Sequence, residues 1–234
     1  MDVRNVGETV RPWPKPRSPT DSPGGRYERV LVFLLGGRTE YGPADYRKSR
    51  RAERRGKVMP MPWQIDSAHS QVQFSVRHMM ISNVRGRFES FTSQVEVDEA
   101  DPLSSKLEVK IDAASITTRE PQRDAHLKSP DFLDVARYPA ITFRATGAEK
   151  VDERRGQMFG DLTIRDVTRP VVLDVEFNGQ AKSPWGTTSA GFSARTKFNR
   201  KDWGLTWNQA LEAGGWLVGE EISVEIEVEL IKQG

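Results

Sequence analysis

From Trp63 onward apolar and polar residues alternate almost one by one, and a period of two marks strands with one buried face. Val72, Phe74 and Val76 alternate with Gln71, Gln73, Ser75 and Arg77; Val84, Gly86, Phe88 and Ser90 alternate with Arg85, Arg87 and Glu89. Val95 and Val97 sit among Gln94, Glu96 and Asp98, and Leu107, Val109 and Ile111 among Lys106, Glu108, Lys110 and Asp112. The same alternation runs through Ile141, Phe143 and Ala145, then Leu162 and Ile164, then Val171, Leu173, Val175 and Phe177. Phe192, Ala194, Thr196 and Phe198 continue it. The clearest case is Ile222, Val224, Ile226, Val228 and Leu230 against Ser223, Glu225, Glu227 and Glu229. These runs predict about nine strands, with turn chemistry at Asp101-Pro102, Arg155-Gly156, Asn178-Gly179 and Pro184-Trp185-Gly186.

No alternation of strand with helix appears, and every strand keeps one polar face, so the expected sheet is antiparallel. A closed barrel and a two-sheet sandwich both fit this pattern. Closure removes unpaired edges, and the long strands favour a barrel. Two segments break the alternation. Residues 119–135 open with Glu120-Pro121, where proline suits a first helical turn, and Ala125, Leu127 and Phe132 support one or two brief helices. Residues 199–218 hold Trp203, Trp207 and Trp216 and are punctuated by Gly204, Gly214 and Gly215. A loop of that length within a compact domain is functional or disordered, and three tryptophans argue against disorder.

Residues 1–60 differ in kind. They hold 14 of the 35 basic residues but 7 of the 33 acidic ones, so this leader carries +7 and the remainder −5. Prolines at 12, 14, 16 and 19 block helix and sheet alike. The segment is expected to be a disordered Pro/Arg-rich extension, with Met59 or Met61 as alternative starts and 61–234 as the folded domain. Val30–Leu35 is too short for a membrane span, which needs about twenty residues, and no clear signal peptide is evident. Cytoplasmic residence is the expectation. The mildly acidic folded part makes a nucleic-acid partner unexpected.

The chain has no cysteine, which removes disulfides, thiolate metal sites and cysteine nucleophiles. Its three histidines, His69, His78 and His126, follow no metal-ligand spacing. If one strand carried both His69 and His78, their odd separation would point them to opposite faces. No metal site is expected. His126 with Ser129, Asp124 and Asp131 invites a hydrolase reading, but no nucleophile elbow or oxyanion loop accompanies them. Arg123, Asp124, His126 and Asp131 are therefore expected to tie the short helices to the barrel, with no catalytic residue assigned.

Four blocks together resemble the YceI-like polyisoprenoid-binding family. WQIDSAHSQVQFSVRH (63–78) is similar to its first strand, and VRGRFESF (84–91) to its glycine-centred second strand. ITTREPQRDAHLKSPDFLDVARYPAITF (116–143) resembles its most specific motif, and GDLTIRDVTRPV (160–171) its strand pair around a Val-Thr-Pro turn. Asp166 stands where glycine is commoner, which suggests an aspartate held in the left-handed region. The resemblance spans 63–232 and none of 1–60. It implies an all-β fold: an extended antiparallel β-barrel of lipocalin type, often dimeric, enclosing a polyisoprenoid or isoprenoid quinone in an apolar channel. Many members are exported.

On that reading Phe74, Val76, Phe88, Phe132, Phe143, Phe192, Trp203, Trp207 and Trp216 are expected to line or close the channel. The alternative is that these rings fill a solid core. Three functions remain open: a lipid carrier without turnover, an interaction or structural barrel with a filled core, and a small hydrolase or isomerase using His126. Storage, transport and stress protection look alike in the sequence, and no cofactor is expected besides a bound lipid.

Overall fold

The computed structural model describes residues 63–96, 106–212 and 214–232. The expectations for the leader, for the Asp101-Pro102 turn and for Val97 and Asp98 fall outside them. Eleven strands form one antiparallel sheet: β1 (Trp63–Ile65), β2 (Gln71–His78), β3 (Ser82–Phe88), β4 (Phe91–Glu96), β5 (Lys106–Asp112), β6 (Ile116–Thr117), β7 (Ala140–Lys150), β8 (Arg155–Ile164), β9 (Val167–Lys182), β10 (Thr188–Asn199) and β11 (Val218–Lys232). The nine alternating runs all became strands; β1 and β6 are too short to show a period. One helix, α1 (Pro121–Lys128), stands between β6 and β7. Pro121 occupies its first turn, and the Glu120 carboxylate caps it by accepting the N–H groups of Gln122 and Arg123.

The strand order is β4-β5-β7-β8-β9-β10-β11-β2-β3-β6, with β1 beside the far end of β11. Its two ends belong to one hairpin. β3 and β4 are two arms of a single bent strand, as are β5 and β6, so β3·β6 and β4·β5 are one ladder carried round a corner. At the corner Glu89 N–H donates to Ser115 O (3.2 Å) and Asp112 N–H to Ser90 O (2.9 Å). The sheet thus curls into a barrel of lipocalin type, with Val72, Ile111, Ile141, Phe143, Leu173 and Val175 in its buried interior.

Local sequence signals were partly overridden. Asn178-Gly179 is not a turn: β9 runs through it, and a register shift opposite Gly191/Phe192 makes it a bulge with Gly179 at φ 130°. The reversal comes at 183–187, where Ser183 N–H donates to Thr187 O (2.7 Å). Arg155-Gly156 opens β8, and the turn precedes it at 151–154. In the β8–β9 turn the left-handed residue is Arg165 (φ 58°), not Asp166, whose carboxylate accepts from the Tyr138 hydroxyl (3.1 Å). Pro170 lies within β9, where the strand pairs with β8 but has not yet met β10, so its missing N–H leaves no gap in a ladder.

Candidate ligand-binding channel

Alternation sends the apolar set of every long strand inward, and the interior is not filled. A cavity of about 370 Å³ runs the length of the barrel, from Val218, Phe198 and Leu205 at one end to Leu230, Val95 and Leu107 at the other. Its wall is aliphatic and aromatic; among the described residues only Lys106, Thr196 and Arg200 bring polar side-chain groups to it.

Two glycines keep it open. Gly86 on β3 faces Phe74 on β2, and a Cβ there would lie 2.4 Å from the Phe74 ring. Gly160 on β8 sits beneath the Phe143 ring of β7, where a Cβ would lie 2.3 Å away. Each ring therefore lies flat on the sheet instead of projecting into the lumen. Glycine at an inward position of an alternating strand is the sequence sign of such a close approach.

Of the residues expected at the channel, Phe74, Val76, Phe88, Phe132, Phe143 and Phe192 line it. The three tryptophans do not. Trp203 is 2% exposed, its ring 4.7 Å from that of Phe198 and its Nε1–H donating to Leu162 O (3.0 Å), so it seals the barrel from outside the lumen. Trp207 stacks edge-on to His126 (4.6 Å) and against Phe132 (5.3 Å). Trp216 is 52% exposed, because an isolated bridge to Ala210 and left-handed Gly214 and Gly215 fold that part of the loop away from the wall.

The end bearing α1 is held by polar contacts. The Asp124 carboxylate accepts from Thr118 N–H (2.8 Å), the Thr118 hydroxyl and the Thr117 hydroxyl (3.0 Å). Burial alone would raise this carboxyl, but those bonds outweigh it and hold it below the usual aspartate range. Arg123 reaches Thr118 through Nε (2.7 Å to Oγ1) and Nη2 (3.1 Å to O), which joins helix to strand. His126 Nε2 meets Asp131 (2.8 Å), and Ser129 Oγ accepts the Asp131 N–H (3.3 Å). Arg123 and Asp124 thus join the helix to the β6 segment, whereas His126 and Asp131 join it to the turn that follows it.

Arg200 was missed. It opens the 3₁₀ turn Arg200–Trp203 and is 2% exposed. Its position was legible in principle: Phe192, Ala194, Thr196 and Phe198 point inward, and Arg200 is next in that parity. Nε donates to Gly219 O (2.9 Å) and Nη1 to Leu205 O. At the opposite end His69 precedes β2 and bonds Asp66 (2.8 Å), so the two-face argument for His69 and His78 did not apply. Asp66, His69 and Glu229 bring donor atoms within 4.8 Å of one another there.

An eight-armed antiparallel calyx around an apolar lumen defines the class: a lipocalin-type barrel. The model of the YceI-like domain matches residues 63–230. A UPF0312 protein of Pseudomonas putida (strain W619) is 34% identical over 180 residues, 76% of this chain and 90% of the relative. The crystal structure of the Campylobacter jejuni YCEI protein is 35% identical, with a TM-score of 0.57 over 68% of this chain and 90% of that one. A structure described as a polyisoprenoid binding domain from Saccharophagus degradans shares the fold at 12% identity, with a TM-score of 0.51 over 75% of this chain and all of that one. This chain belongs to the YceI-like family. Among the described residues no helix is long and apolar enough to cross a membrane.

Proposed function

We propose that this protein is a non-catalytic carrier that holds a polyisoprenoid chain, with or without a quinone head, inside its barrel. The observation that carries the reading is the continuous apolar cavity, whose size falls within the usual range of small-molecule sites. A polyprenyl chain offers little besides methyl-branched hydrocarbon, and each CH₂ it buries contributes roughly 0.8 kcal/mol. Length and dryness then set affinity, and the wall supplies both. Family membership and the polyisoprenoid binding described for the Saccharophagus degradans domain support the same ligand class. A filled-core structural barrel accounts less well for the lumen, and a His126 hydrolase accounts less well for a histidine packed against the Phe132 and Trp207 rings, outside the lining of the cavity.

The test is organic extraction of the freshly purified full chain followed by mass spectrometry. A stoichiometric polyisoprenoid is expected. A clean extract, together with no uptake of added isoprenoid quinone, overturns the proposal.

A further inference from the structure

Arg200 is out of keeping with its surroundings. A guanidinium carries five N–H donors and is never discharged at neutral pH. Here two donors are spent on the carbonyls of Gly219 and Leu205, while Nη2 is buried and has no hydrogen-bond partner. Burial works against its charge, opposed by the nearby Glu220 carboxylate. Glu220 gives it no hydrogen bond, being engaged by Lys201 and by Asn199 Nδ2 (3.3 Å). Buried polar groups are ordinarily satisfied, and an unmet one marks a missing partner. Arg200 also lines the channel, beside Thr196, Leu205 and Val218 at the helix-bearing end.

We infer that Arg200 gives the channel a polar end, where Nη2–H donates to an oxygen of the ligand's head group while the hydrocarbon tail runs toward the opposite turns. The inference rests on the carrier reading above and adds a head-group class and a direction to it. The shared chemistry is a hydrogen-bond-accepting oxygen, which a quinone carbonyl or a phosphate ester supplies. Lys106, the other cation on the wall, lies at the opposite end and is exposed, whereas Arg200 is buried.

Three probes of equal isoprenoid length separate the possibilities: a ubiquinone, a prenyl phosphate and the hydrocarbon squalene, each bound to lipid-stripped full chain. At least one oxygenated probe is expected to bind about tenfold more tightly than squalene, the effect of one hydrogen bond to a charged group. Arg200→Met is expected to erase that gap between the oxygenated probes and squalene. Preference for the quinone, the phosphate or both then names the source of the oxygen. Equal binding of all three probes, or a preference that survives Arg200→Met, overturns the inference.

Arg200 also secures the loop through Gly219 and Leu205, so the variant risks misfolding, and the wild-type chain provides a second readout. A ubiquinone carrying a photoreactive diazirine on its ring should label the peptide containing Arg200 and Leu205. Labelling around Lys106 and Leu107 would reverse the assigned direction. Failure to take up any probe refutes the carrier reading itself, whereas uptake without head-group preference refutes only the role of Arg200.

Discussion

The two ends of the barrel are finished by different means. At the helix-bearing end, residues far apart in sequence meet: Trp203 bonds Leu162, Arg169 Nε donates to Asp202 O (3.3 Å), and Asn208 clasps both backbone groups of Val218 (2.7 and 3.0 Å). At the opposite end Ser70 Oγ still reaches the Glu229 backbone, but the hairpin turns there rest on exposed, local contacts. Asp152 accepts from Arg154 N–H (3.0 Å) and Arg155 Nε (2.6 Å), and Trp185 stands 89% exposed in the 183–187 reversal. The loop at the helix-bearing end is held by tertiary packing, whereas the 151–154 and 183–187 turns are held by chemistry that needs mainly neighbouring residues. Stability should therefore be concentrated at the first.

Trp203→Ala is the strongest test of that contrast. Removing this buried ring and its hydrogen bond should cost about 3–5 kcal/mol in urea denaturation. Trp185→Ala at the other end should stay within about 0.5 kcal/mol. Equal losses in the two variants would abolish the distinction. Asp124→Ala comes next, at about 2 kcal/mol, because it leaves the Thr118 N–H and the Thr117 and Thr118 hydroxyls without their acceptor. Asp124 is held low in the folded chain, so its contribution is present above pH 3.8 and lost as pH falls through the depressed folded value. The acid limb of a pH–stability profile should flatten in the variant.

Gly160→Ala probes the wall between the two ends. The added methyl must push Phe143 off the sheet, at about 1–3 kcal/mol of overpacking. The ring then enters the lumen, so uptake of a fluorescent prenyl probe should fall while the circular dichroism of the sheet persists. The smallest effect belongs to Asp152, whose carboxyl is held down to about 2 by the Arg154 backbone N–H and then by the Arg155 side chain. Its stabilisation is present above pH 3.8 and lost as pH falls through about 2. NMR titration should locate that midpoint, and an ordinary aspartate value would show that the turn contact does not persist in solution.

The same division governs what was legible in the sequence. Strands were readable because each needs only its own alternation, and α1 because Glu120-Pro121 is a local start signal. Asn178-Gly179 was misplaced because a turn signal inside a strand held by two neighbours is absorbed as a bulge. The bent hairpin that joins β4 to β5 and β3 to β6 depends on a corner that no periodicity records. Six of the nine expected channel residues line the cavity because strand parity, or for Phe132 the apolar stripe beside the helix, places them there. The tryptophans belong to a loop without parity, where composition signals burial in general but not which side of a wall a ring will take. Arg200 was overlooked because a cation in a loop is ordinarily solvated.

The position of β11 between β10 and β2 has a consequence for biogenesis. Residues 71–78 pair on one side with β3, but on the other only with 218–227, so this seam joins strands from opposite ends of the barrel sequence. Every other wall strand precedes β11 in the chain, so the seam cannot close until β11 is present. Until it arrives, the lumen face of the sheet is an open apolar surface. This protein is thus most exposed to aggregation in the interval before β11 closes the sheet.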